Sequence, residues 1–406
     1  MRARCLALCA LLVACTEPLP GDVRNGEDAA APDAGVDDGG RGEDGGLERD
    51  GGLPLDDGGS DGGGSDGGAP FTIRAIDVGT GSTHTCAVTT TNTVVCWGAN
   101  DRGQLGRAEG DRAPGVVEGV SATSVCAGDG FTCALTTAGE VACWGVNNRG
   151  QLGRGVMGEP DSTRLVIGLS GVRGITCGSH HACALDGDTV DCWGSNATGQ
   201  LGTGGSTAAD PWPRTAVSSA GSDFTLEAGA RHTCFSDLIR GSGRTACWGD
   251  NGAGQIEEGG NSEYRAGLEL NRVFISEMAL GERHTCFMTT AGFTCRGSDA
   301  QQTAVPTAIG GGVDVAAAGL SASCGGSGAD VVCWGDNDEW QLGTSASGAT
   351  QATVTLPSDV RALDGGAGQF CAIDREQRVW CWGANGFGQA RPGDPAAQVD
   401  PAMLGL

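Results

Sequence analysis

The 406-residue chain has no lysine, and all 25 of its basic residues are arginine. They face 50 acidic residues, so the net charge is −25 and the pI is near 4.4. A nucleic-acid binder needs a basic face, which excludes polyanion binding as the main activity. Aromatic residues make up only 5%, with a single tyrosine, Tyr264. No apolar run reaches the roughly 18 residues that a spanning helix requires. Helical periodicity of useful length is missing too. So are the phosphate-loop signature G-K-[ST] and the zinc-protease signature H-E-x-x-H. No nucleophile, base and orienting residue can be assembled from spacing, so the sequence predicts no catalytic residue, no metal and no cofactor.

What is abundant is glycine, with 74 residues, and cysteine, with 19. The first cysteines belong to an address. Arg2 and Arg4 precede the apolar run Cys5–Ala14, which has the length of a signal-peptide core and is too short to span a bilayer. The run ends in Leu12-Val13-Ala14-Cys15, which resembles the lipobox of bacterial lipoproteins. That resemblance implies a signal peptide over 1–14, cleavage after Ala14 and lipid on Cys15. It also implies an exported, membrane-anchored protein of the bacterial cell envelope, periplasmic or at the cell surface. Acylation with two or three chains would hold stably where one would not. Residues 16–70 hold 17 Gly, 11 Asp, 4 Glu and 3 Arg, a net charge of −12. Such a stretch has no core to offset ordering entropy and reads as a disordered linker running on from Cys15. Asp56 to Gly63 lacks the ligand order of a calcium loop.

Residues 71–406 repeat one unit. The phrase C-W-G-x-N begins at Cys96, Cys143, Cys192, Cys247, Cys333 and Cys381, with a worn copy at Cys295-Arg296-Gly297. Gln follows eight residues after the Cys in six copies, as in Gln104 and Gln151. The seven Cys lie 47, 49, 55, 48, 38 and 48 residues apart. A second Cys precedes each phrase: Cys86, Cys133, Cys183, Cys234, Cys286, Cys324 and Cys371. Between each two lie strand residues and a turn, which predicts a β-hairpin. His84, His181, His232 and His284 stand two positions before four of these Cys. A side chain that recurs at one structural position is structural, and a backbone hydrogen bond within its own unit is the expectation for it.

The string G-x-x-H-T-C-A…C-W-G-x-N-x-x-G-Q-L-G resembles the regulator of chromosome condensation repeat. The resemblance implies an all-β fold, a seven-bladed β-propeller over 71–406 preceded by signal peptide and linker. The seven within-unit cysteine pairs are then expected to be disulfides across hairpins: 86–96, 133–143, 183–192, 234–247, 286–295, 324–333 and 371–381. Cys126 and Cys177 either bridge neighbouring units or stay as buried thiols. The motif Trp residues are expected between blades and the motif Asn in loop caps. Gln398–Leu404 is expected to complete the first blade, beside Phe71-Thr72-Ile73.

Positions that break the repeat are the candidate binding residues, because insertions gather on one face. They are Trp212, Arg214, Tyr264, Trp340 and Phe387. Aromatic and Arg side chains are favoured interface anchors. The reading is a monomeric, non-catalytic, membrane-anchored scaffold whose partner is a protein or cell-surface polymer. Two alternatives stand beside it. One is an inhibitor of a periplasmic or extracellular enzyme, as a secreted member of the resembled group inhibits β-lactamase. The other is guanine nucleotide exchange on a small GTPase, the activity of the protein that gives the repeat its name.

Overall fold

The computed structural model describes residues 74–404 apart from 206, 219–223, 238–243, 271–274, 290–291, 298–308 and 310–311. The expected signal peptide, Cys15, the linker and Phe71–Ile73 lie outside the described residues. Every regular element of useful length is a β-strand, and no α-helix occurs among the described residues.

The first repeat shows how the unit forms. Strands β1 (Ala75–Thr80), β2 (His84–Thr89) and β3 (Thr93–Gly98) follow one another antiparallel, and β4 (Gly115–Ala127) runs along β3. Asn92 turns the central hairpin with φ of 62°, a conformation Asn tolerates. The central strands lack the alternation of a half-exposed sheet: β5 (Phe131–Thr136) and β6 (Val141–Asn147) are buried almost throughout. Their faces are covered on both sides, so both alternating sets of side chains are small or apolar.

The 13-residue β4 serves two sheets. Its start pairs with β3 and its end with β5, so the first seven strands, through β7 (Gly158–Leu165), are hydrogen-bonded in sequence order. Four sheets of four strands and one of three complete the described residues. Each is a meander of consecutive strands. The innermost strand of each later meander is Val172–Cys177, Phe224–Ala228, Ile275–Leu280, Val315–Ala318 or Val360–Gly365.

Each motif Trp packs on the disulfide of the preceding repeat. Trp144 shares a core with Cys86 and Cys96, Trp193 with Cys133 and Cys143, and Trp382 with Cys324 and Cys333. Trp97, from the first repeat, packs on Cys371 and Cys381 of the last. That contact returns the chain to its start.

The expectation for the C-terminal strand is corrected. Gln398–Met403 pairs with Val379–Ala384 as the fourth strand of the last sheet, and does not enter the first. Closure instead rests on packing and on contacts such as the Arg74–Arg378 bridge. The repeat frame and the sheet frame therefore coincide.

Candidate binding face and channel

The cysteines pair directly across the hairpins. Cys86 faces Cys96 in register, as do the other six within-unit pairs, with Cα separations of 3.9–4.2 Å. Cys126 and Cys177 form an eighth disulfide, Cα 5.4 Å apart, between the innermost strands of two neighbouring sheets.

A polar lock joins neighbouring repeats. The backbone carbonyl of Gln104 accepts the indole N–H of Trp144 at 2.9 Å and the hydroxyl of Thr132 at 2.9 Å. Gln389 accepts from Trp97 and Thr85, and Gln200 from Trp248 and Thr233, in the same way. His84 Nε2 lies 2.8 Å from Thr132 Oγ1. The Thr proton goes to Gln104, so the imidazole must be the donor. His181, His232 and His284 reach Thr233, Thr285 and Ser323 likewise, at 2.7–2.8 Å. The expected within-unit backbone bond is thereby corrected: each His bonds a hydroxyl in the following repeat. Burial holds His84 down at about 4 and His181 and His232 at about 3, so these rings are neutral. In the worn fifth copy, Arg296 donates to the carbonyl of Ile256 at 2.7 Å and covers the Phe287 ring. A guanidinium thus takes over the indole's bond, one residue along from Gln255.

The motif Asn caps its loop as expected. Asn100 Oδ1 accepts from Leu105 N at 3.2 Å, and its Nδ2 donates to Ala108 O. Asn147, Asn196, Asn251, Asn337 and Asn385 make the corresponding oxygen contact.

Seven glycines ring one mouth of the central channel. A Cβ on Gly81 would meet the carbonyl of Gly128, one on Gly128 that of Gly178, and so on through Gly229, Gly281, Gly319 and Gly366. Gly366 would meet the carbonyl of Gly81, which completes the circle. No side chain fits where seven strands converge this closely. Behind the ring lies a channel cavity of about 220 Å³ lined by Asp77, Thr176, Glu227 and Asp364 among others.

The channel carboxylates clasp adjacent inner strands. Asp364 accepts from the N–H and hydroxyl of Thr80, Asp77 from Ser124 and the N–H of Val125, and Glu277 from the N–H of Ala316. Burial raises Asp77 to about 6 and Glu277 to about 7. Burial also lifts Glu227 well above its ordinary value, with the charges of Glu277, Asp364 and Asp77 adding to it. None of these acids recurs in every repeat, so repeat analysis gives no signal for them. The glycine before each His position does recur, and its ring could have been foreseen from that.

The five candidate binding residues do not meet; among the described residues no hydrogen bond or ring contact joins any of the four aromatics to another. Trp212 is 42% exposed and lies over Gly155, with Val156 and Met157 next to it in sequence, exposed at 60% and 54%. Arg214 pairs with Asp210 at 2.9 Å. Tyr264, on the strand Glu263–Leu270, donates to Glu257 Oε2 at 2.5 Å, in the loop just before that strand. Phe387 lies under the guanidinium of Arg112, 5.2 Å away, and so contributes to ring closure. Trp340 lines a groove of its own loop with Asp336 and Asp338. Val156 and Met157 were missed because apolar residues in a loop carry no pattern. His180, outside the repeat pattern, is half-buried and faces Asp129 at 3.5 Å.

Comparisons with known proteins agree with this geometry. Two family models, both described as the regulator of chromosome condensation (RCC1) repeat, match residues 75–104, 122–151 and 360–389, and residues 92–135 and 138–185. The ectodomain of the Physcomitrella patens receptor kinase CR4 is similar at 20% identity, with TM-score 0.51, covering 77% of this chain and 74% of that one. The CRINKLY ectodomain of the Arabidopsis thaliana receptor kinase ACR4 gives 19% and 0.50, covering 80% and 99%. Prp20p of Saccharomyces cerevisiae gives 20% and 0.48, covering 80% and 76%. No curated protein matches the chain. The segments 75–185 and 360–389 thus match the RCC1 repeat.

Proposed function

We propose that residues 71–406 form a closed seven-bladed propeller that serves as a non-catalytic protein-binding scaffold, displayed from a bacterial membrane by lipid on Cys15. The eight disulfides point to an oxidising, exported setting. The observation that carries the binding role is the contrast between a cross-linked ring and the irregular, exposed side chains on it. Trp212, on the strand Ala209–Ser218, and Phe387, on a loop, expose 42% and 40% of their surface. A rigid ring presents such anchors with little entropy to lose on association.

Proximity labelling with the full-length chain on intact cells tests the role. A discrete set of envelope proteins should be enriched. It should disappear when Trp212, Trp340 and Phe387 are replaced by Ser. Identical labelling by both chains would refute the scaffold. Anchoring is tested separately, since Cys15→Ser should move the chain from the membrane fraction to the soluble one.

A further inference from the structure

Trp340 occupies a backbone position built for glycine. Its φ is +59°, in the left-handed region, and it directly precedes the motif Gln341. The residue before the motif Gln is Gly103, Gly150, Gly199, Gly254 and Gly388 in five other repeats, with φ between 70° and 82°. A bulky L-residue there is strained against its own carbonyl. Strain retained in a loop points to a use for the side chain.

The surroundings define that use. Trp340 lines a groove of about 360 Å³ with Asp336, Asp338, Ser345 and Ser347. Asn337 is consumed in holding the loop, through Leu342 N and the carbonyls of Thr344 and Ala346. Gln398, from the last sheet, braces the loop by donating to Asp338 O at 2.7 Å. By contrast, the carboxylates of Asp336 and Asp338 and the indole of Trp340 have no hydrogen-bond, ion-pair or ring partner among the described residues. Among the described residues no basic residue lines the groove. A flat aromatic ring beside two unpaired anions matches a planar cation that can stack and donate several hydrogen bonds at once. Lysine's ammonium has neither the plane nor the fork.

The molecule already makes this contact elsewhere. In the corresponding loop of the last repeat, Arg112 covers Phe387 at 5.2 Å. Arg173 on Phe224 and Arg378 on Trp380 repeat it at 5.5 and 5.8 Å. Among the described residues no arginine covers Trp340.

We infer that the groove at Trp340 is a socket for an arginine side chain presented by a partner protein, with the guanidinium on the indole and its N–H groups directed to Asp336 and Asp338. The inference rests on the scaffold reading and names the partner's chemistry.

The full chain, with its indole nitrogens isotope-labelled, provides the test by NMR. The Trp340 indole resonance is identified by its loss in Trp340→Gly. N-acetyl-arginine amide at millimolar concentration should shift it, and the neutral isostere N-acetyl-citrulline amide should not. Asp336→Asn with Asp338→Asn should weaken the arginine response about tenfold. Trp340→Gly should melt no lower than the parent, because the motif glycine is restored. No shift with arginine, an equal shift with citrulline, or an unchanged response in the double Asn variant would overturn the socket. Those outcomes leave the labelling experiment on intact cells standing, so the socket can fail while the scaffold survives.

Discussion

A Cβ placed on Gly366 would sit 2.3 Å from the carbonyl oxygen of Gly81, across the junction of the last and first repeats. The obstacle is backbone, which cannot swing aside as a flexible side chain can. Gly366→Ala and Gly128→Ala should therefore each destabilise by about 1–3 kcal/mol, the usual cost of overpacking. Gly386→Ala meets nothing within 4 Å and serves as control. Thermal denaturation in parallel checks this; equal melting of all three would mean that the glycine ring is not under packing constraint.

Much of this fold was legible because a repeat multiplies its own signal. One C-W-G-x-N phrase says little, but six at nearly even spacing identify a unit, and the cysteines 9 to 13 residues apart place its hairpin. The hidden parts are relations between repeats. Nothing in the spacing shows that His84 reaches Thr132, 48 positions away. In sequence, Gln398–Leu404 and Phe71-Thr72-Ile73 look like halves of one blade, yet Gln398–Met403 pairs with Val379–Ala384. The channel acids were hard to see because Asp77 and Glu277 share one repeat position and Glu227 and Asp364 another, and each position is acidic in only those two repeats. Trp340 was singled out as an aromatic; that it strains its backbone appears only in the dihedral angle.

The histidine lock predicts a measurable coupling. Thr132→Val leaves the N–H of His84 buried without an acceptor, which costs about 1–3 kcal/mol. His84→Ala in the same background should hurt less than it does in the parent. A double-mutant cycle by denaturant unfolding should give a coupling of about 1 kcal/mol or more. Additive effects would show that the 2.8 Å contact carries no free energy.

Buried histidines and channel acids make opposite demands on pH. His181 and His232 sit at about 3 when folded, against roughly 6.5 unfolded. Their contribution is complete above about 6.5 and is lost as pH falls toward the folded values, by about 1.4 kcal/mol per unit and site. Glu277 is raised to about 7, so its effect runs the other way: stability is present below its unfolded value near 4.5 and is lost as pH rises through 7. Glu277→Gln keeps an oxygen for the Ala316 N–H and removes the charge. It should stabilise the chain at pH 8 by on the order of 1–2 kcal/mol after screening by channel water, and the gain should vanish below about pH 4.5. Urea midpoints at pH 4, 6 and 8 decide it; a gain independent of pH would assign the effect to packing.

Cys126 and Cys177 are 51 residues apart in sequence, whereas the hairpin pairs are separated by 9 to 13. In the chain-entropy model a cross-link constrains the unfolded chain more when it closes a longer loop, about 4 kcal/mol here against roughly 2.5–3 for a ten-residue hairpin. The two kinds also differ in location. Cys86 and Cys96 are fully buried between repeats, while Cys126 and Cys177 line the channel cavity and are only partly buried. Replacing both Cys126 and Cys177 by Ser therefore leaves two hydroxyls that channel water can satisfy, so the loss reports the cross-link with little packing penalty. Replacing Cys86 and Cys96 by Ser adds buried polar groups to a smaller entropic loss. Ala in place of Ser at all four sites removes that difference. The 126/177 Ala variant should then lose more stability on denaturant unfolding than the 86/96 Ala variant, once cavity cost is matched by a Cys133→Ala, Cys143→Ala chain. The reverse order across both hairpin variants would mean that the unfolded chain is already held compact, and that tying neighbouring repeats together adds nothing to what each hairpin supplies.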